Sequence, residues 1–147
     1  MTKLKLYWYR EKNGQTNFGD DLSPLLLEHL TARKVEHASI QQCDMVAVGS
    51  LLNTVGRKMS QPRKRLERFL LNRNMPIKVW GTGAFGDYTL PKSSQLEVLA
   101  VRGLLTREGL GVNENTPLGD PGLLIDCFGT KAKKQYRWGI IPHFIDQ

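Results

Sequence analysis

A few side chains in this sequence have the types and spacing that chemistry needs. The run Asn17-Phe18-Gly19-Asp20-Asp21 sets an amide beside two carboxylates. Such a group can hydrogen-bond sugar hydroxyls or accept a proton. The same acids suit a helix start, where the dipole and capping favour negative charge. Arg102-Gly103, followed by Thr106 and Arg107, places a guanidinium where it can hold an anion or tie down loop carbonyls or Asp120. His143 follows Ile140-Ile141-Pro142 at the end of an apolar run, where a titratable imidazole would face a crevice. His29 and His37 read as ordinary packing or surface residues.

Three glycine turns accompany these groups: Asn17–Asp21, Gly49-Ser50 and Gly81–Gly86. Gly81-Thr82-Gly83-Ala84-Phe85-Gly86 matches G-x-G-x-x-G after an apolar run. A dinucleotide site would also need a helix starting inside the motif and an acidic residue after the next strand. Pro91 leaves no room for that helix, and Arg102 stands where the acid would be. The loop therefore reads as one that approaches some other ligand or packs closely. Gly119-Asp120-Pro121-Gly122 is a turn that an Asp120 side-chain bond would stabilise. No HExxH, zinc-spaced Cys/His cluster, Walker A sequence or G-x-S-x-G elbow occurs, so no bound metal or cofactor is expected.

These groups need a scaffold. The chain has 147 residues, 40% apolar and 24% charged, enough for one domain with a sizeable core. That composition excludes a disordered chain, and two cysteines exclude a disulfide scaffold. Cys43 and Cys127 read as two reduced, packed thiols. The charged start, Met1 to Lys12, has no apolar h-region, and no apolar run approaches a membrane span. A cytoplasmic protein is expected, with the inner membrane face as a peripheral location.

Short apolar runs alternate with helical patterns. Leu4–Tyr9, Val35–Ser39, Met45–Val48, Ile77–Trp80 and Leu96–Val101 read as strands, and Arg137–Ile141 as a final one. The first helix is expected to start at Ser23 with Pro24 in its first position and Leu25, Leu26, Leu27 and Leu30 as its apolar stripe. A helix capped by Ser60 or Gln61 would bury Leu66, Phe69 and Leu70 and turn Arg63, Lys64, Arg65 and Arg68 to other faces. Leu104–Leu110 is a short helix stopped by Gly111, and Leu123–Ile125 a helical turn or strand. The alternation predicts an α/β fold, a Rossmann-like parallel sheet flanked by helices, with its ligand crevice beyond the carboxyl ends of the strands.

The net charge of +7 is unevenly spread. Residues 57–78 carry eight basic groups and one acidic group, which equals the whole excess. Aromatic residues are not interleaved with the cations, so no specific nucleic acid is expected. Solvent, an anionic polymer or a membrane surface is the expected neighbour.

Taken in order, the motifs resemble the polysaccharide pyruvyl transferase family, in its exopolysaccharide type. The resemblance rests on Asn17-Phe18-Gly19-Asp20-Asp21-Leu22-Ser23-Pro24, Val48-Gly49-Ser50-Leu51-Leu52 and Trp80-Gly81-Thr82-Gly83. It continues through Val101-Arg102-Gly103 with Thr106, Leu118-Gly119-Asp120-Pro121-Gly122 and Gly139-Ile140-Ile141-Pro142-His143-Phe144. It implies transfer from phosphoenolpyruvate to two hydroxyls of a saccharide, giving a pyruvate ketal in exopolysaccharide biosynthesis. It also implies a two-domain glycosyltransferase-B-type fold, in which the first domain receives the acceptor. His143 and Asp20 are then the catalytic candidates. Asn17, Gly19, Asp21, Gly49, Ser50, Gly81, Thr82, Gly83 and Arg102 are the substrate-binding candidates. Family members run to roughly 300 residues. Residues 1–130 therefore match a Rossmann-like N-terminal domain, and 131–147 a linker with the first strand of a second, missing domain. The chain alone is expected to be inactive and to need that domain or an oligomer partner. A non-catalytic glycan-binding module and a nucleotide-sugar glycosyltransferase fragment are the alternatives.

Overall fold

The computed structural model describes residues 3–11, 17–86 and 95–140. Five short strands form one all-parallel sheet: β1 (Leu4–Tyr7), β2 (Val35–His37), β3 (Met45–Val46), β4 (Ile77–Trp80) and β5 (Leu96–Ala100). Their order is β2-β1-β3-β4-β5. The chain leaves β1 toward one edge and β3 toward the other, so the connections diverge between these two central strands. That is the switch point where doubly wound sheets open a crevice. A parallel bridge between Val101 and Leu118 extends the β5 edge.

Helices cover both faces, as parallel strands require. On one face, Leu52, Val55 and Met59 of α2 (Leu52–Met59) pack with Val46, Ile77 and Val79. Leu110 of α4 (Leu104–Leu110) joins them. On the other face, Leu27 of α1 (Phe18–Thr31) packs with Leu4, Trp8 and Met45. Leu22 and Leu26 meet Val48, with Ile125 of the 3-10 helix Pro121–Cys127 and its C-cap Phe128 against them. No helix among the described residues is long and apolar enough to cross a membrane.

The helix starts differ from the sequence expectation. Helix α1 begins five residues before Ser23, and Asn17 is its cap: Asn17 Oδ1 accepts from the amides of Gly19 at 3.0 Å and Asp20 at 3.4 Å. The run Asn17–Asp21 is thus a cap and first turn, not a loop. Pro24 lies inside the helix and has no N–H to offer the Asp20 carbonyl. Its buried stripe is Leu22, Leu26 and Leu27, while Leu25 and Leu30 are exposed. Helix α2 has no counterpart in the sequence reading. Its signal is the spacing of Leu52, Val55, Gly56 and Met59 at i, i+3, i+4 and i+7, all buried.

The largest correction concerns α3 (Pro62–Leu70). Its start agrees, with Gln61 as N-cap and Pro62 at the first position. Its rotation does not. Leu66, Phe69 and Leu70 face solvent, and Arg68 is buried. Arg68 donates to the carbonyls of Gln41 at 3.2 Å, Cys43 at 2.9 Å and Met75 at 2.7 Å, and reaches that of Ile40 at 3.5 Å. Arg73 pairs with Asp44 beside it. Further corrections are smaller. Residues 137–140 form no strand and are exposed, and Ile141 lies outside the described residues. Cys43 is packed as expected, but Cys127 is exposed. Both are free thiols. Gly111 closes α4 in the left-handed conformation, as its position suggested.

Candidate functional site

A cleft of about 710 Å³ opens at the switch point. Tyr7 and Tyr9 reach it from the end of β1, Asn17, Gly19 and Asp20 from the first turn of α1, and Gly49 and Ser50 from the turn after β3. Arg102, after β5, and Asp120 close the far side.

The wall is built from the glycine turns. Gly83 donates to the Gly49 carbonyl at 2.9 Å. Thr82 Oγ1 donates to that carbonyl at 2.8 Å and accepts from Leu51 N at 3.1 Å. Leu52 N donates to the Gly83 carbonyl at 3.1 Å. The amides of Leu51 and Leu52, at the start of α2, are therefore taken by the third glycine turn, Gly81–Gly86. Asn53 completes the brace, donating to Phe85 O at 3.1 Å and accepting from Phe85 N at 2.7 Å.

The third glycine turn is thus a packing device. Gly81, Thr82 and Gly83 are buried and lie behind the cleft wall, outside its lining. A Cβ on Gly81 would stand 2.2 Å from Pro121 Cδ, so glycine lets the 119–122 turn seat against β4. Within that turn Asp120 Oδ1 accepts from Gly122 N at 2.8 Å, the expected side-chain bond.

Arg102 lies over Gly83, where a Cβ would come within 2.7 Å of its Nε. Its Nη2 donates to Ser50 Oγ at 2.9 Å. Among the described residues it forms no ion pair. A cation held by a hydroxyl and seated over a glycine therefore lines the cleft.

Asp20 carries the opposite charge. Burial pushes its carboxyl above the usual carboxylate value, and the neighbouring Asp21 acts in the same direction. Tyr7 is also raised, first by burial, and keeps its hydroxyl proton as a donor. Asp21 points elsewhere: its Oδ1 accepts from the Trp8 indole at 3.2 Å, and it does not line the cleft.

Of the candidates read from the sequence, the structure brings together Asn17, Gly19, Asp20, Gly49, Ser50 and Arg102. Asn17 lines the cleft, with its amide oxygen occupied by the helix. His143 lies outside the described residues. His29 stacks near Phe128, and His37 Nε2 lies 3.1 Å from the Trp8 carbonyl, both packing roles as expected. The sequence reading missed Tyr7, Tyr9 and Phe85. The signal was available for the tyrosines, which recur two apart at the carboxyl end of β1.

The site can hold a polar ligand between a carboxyl group and a cation, with aromatic rings beside them. Compared with protein-family models, curated proteins and solved structures, the chain shows no match.

Proposed function

We propose that this cleft is the acceptor site of a pyruvyl transfer from phosphoenolpyruvate to two hydroxyls of a saccharide. The observation that carries the proposal is the placement of Asp20 and Arg102 on either side of the Gly49-Ser50 turn, lining one cleft. The sequence resemblance supplies the reaction class.

The chemistry assigns each group a task. Arg102, oriented by Ser50, holds the carboxylate or phosphate of the donor. An acid protonates the methylene carbon, and His143 is the candidate read from the sequence. The first saccharide hydroxyl adds to the carbon bearing the phosphate ester, and its proton passes to Asp20. The carbon–oxygen bond to phosphate then breaks, with the electron pair leaving on phosphate. The second hydroxyl adds to the resulting oxocarbenium carbon to close the ketal, and its proton leaves on the departing phosphate. A carboxylate raised above its usual value is a stronger base for that hydroxyl proton.

The test follows phosphate release from phosphoenolpyruvate in the presence of a saccharide acceptor. It is run with the chain alone and with the C-terminal half of a pyruvyl transferase supplied. Release in the supplemented assay that Asp20→Asn and Arg102→Ala abolish is the expected result. Saccharide binding with no release in either assay would overturn it in favour of a glycan-binding module. Binding of uridine or guanosine diphosphate in place of phosphoenolpyruvate would assign a nucleotide-sugar glycosyltransferase.

A further inference from the structure

Helix α3 is mounted with its apolar face outward. At about 100° per residue, Pro62, Leu66, Phe69 and Leu70 share one strip about 100° wide. Leu66 is 56% exposed, Phe69 63% and Leu70 69%, and Met75 continues the patch beyond the helix. Arg68 lies on the opposite side of the helix and is 2% exposed. Its bonds to the carbonyls of Gln41, Cys43 and Met75 hold the rotation. Turning the apolar strip inward would strip those carbonyls of their donor and carry a buried guanidinium out. The exposure is therefore enforced by the fold.

The strip is bracketed by cations. Arg63 and Arg65 fall on its two sides and are exposed, as is Arg57 at the end of α2. None of the three forms an ion pair among the described residues. The single acid of residues 57–78, Glu67, is already paired with Lys64 at 2.8 Å.

We infer that this face docks on an anionic lipid bilayer. Leu66, Phe69 and Leu70 enter the headgroup boundary, and Arg57, Arg63 and Arg65 pair with lipid phosphates, the arrangement of an interfacial amphipathic helix. Charge complementarity selects this occupant. A second copy would set the same unpaired arginines against each other. A polyanionic chain would match the arginines and leave the leucines in water. Helix α3 is anchored on residues 40–44 at the amino-terminal end of β3, whereas the cleft lies at the carboxyl ends of the strands. Docking therefore leaves the cleft open.

The test is flotation of the full chain with phosphatidylcholine vesicles and with equimolar phosphatidylcholine–phosphatidylglycerol vesicles. Binding is expected to the anionic vesicles alone and to weaken in high salt. Arg63→Ala/Arg65→Ala should lower the partition coefficient about 30-fold. Phe69→Ser/Leu70→Ser should lower it about tenfold or more. All four side chains are exposed, so an unchanged melting temperature checks that the fold is intact. Absence of binding to anionic vesicles overturns the inference, as does equal binding by both variants and the parent chain. A concentration-dependent dimer in sedimentation that Phe69→Ser/Leu70→Ser breaks, without vesicle binding, also overturns it and gives the face to a second copy.

Discussion

Asp20 Oδ1 stands 2.9 Å from the point where a Cβ on Gly49 would project. The carboxyl group of the first turn of α1 thus occupies the space that a side chain after β3 would fill. The two residues come from the two diverging connections at the switch point. Their contact is what brings the acid over the cleft floor.

Gly49 should not tolerate alanine. Its φ is +104°, a conformation rarely adopted by L residues, and the added methyl would meet the Asp20 carboxylate. Gly49→Ala is expected to lose about 1–3 kcal/mol in urea unfolding and to displace Asp20. Gly111→Ala is the control: its φ is +58° with nothing within 4 Å, so it should lose about 1 kcal/mol and leave ligand binding intact. Equal effects of the two substitutions on ligand binding would show that Gly49 does not position the acid.

The pH dependence of stability follows from Asp20. Its folded value is raised above 3.8, first by burial and then by Asp21, so folding favours the protonated form. The resulting stabilisation is complete below the ordinary carboxylate value and is lost as pH rises through the folded value. Asp20→Asn removes this loss. Urea unfolding from about pH 3 to about pH 7 should show the variant gaining on the parent chain as pH rises. A gap that stays constant or moves the other way would contradict the buried setting of Asp20.

Arg68 should be the most sensitive basic residue of its segment. Arg68→Met keeps the buried stem but leaves the Gln41, Cys43 and Met75 carbonyls without their donor. A loss of about 3 kcal/mol or more is expected. Arg63→Met, at an exposed site, should change stability by less than about 0.5 kcal/mol. Similar losses for the two would show that Arg68 is not the anchor of α3.

The two thiols should separate in a thiol-titration experiment. Burial is the main cause pushing Cys43 up to about 12, while Cys127 is exposed. At about pH 8 the native chain should react rapidly at Cys127 alone, and Cys43 should follow only with unfolding. Arg68→Met should speed the Cys43 reaction, because the Cys43 carbonyl is one of the three that Arg68 holds. Two fast thiols in the native chain would mean that residues 40–43 are not packed as described.

Much of the scaffold was legible in the residues. Parallel strands with both faces covered read as short apolar runs, and all five strands of the sheet lie within the segments read from the sequence, with small differences at their ends. The two edge strands, Val35–His37 and Leu96–Ala100, are only half-buried. Gly111 and Asp120 declared their roles through local chemistry alone, a left-handed cap and a side-chain bond within one turn. Asn17, Gly19, Asp20, Gly49, Ser50 and Arg102 could be placed at one crevice because parallel topology sends every strand's carboxyl end to the same edge.

What the residues could not declare is which way an element turns. Periodicity placed Leu66, Phe69 and Leu70 on one face of α3 but not that face toward solvent. That was decided by carbonyls at residues 41, 43 and 75, which only the folded chain brings around Arg68. The G-x-G-x-x-G run likewise named glycines without naming what approaches them. In the fold it is Pro121 and Arg102, not a ligand phosphate, that take the space above Gly81 and Gly83. Local sequence sets propensity and period, which act over a few residues. Facing and contact depend on partners tens of residues away, and only tertiary packing brings those together.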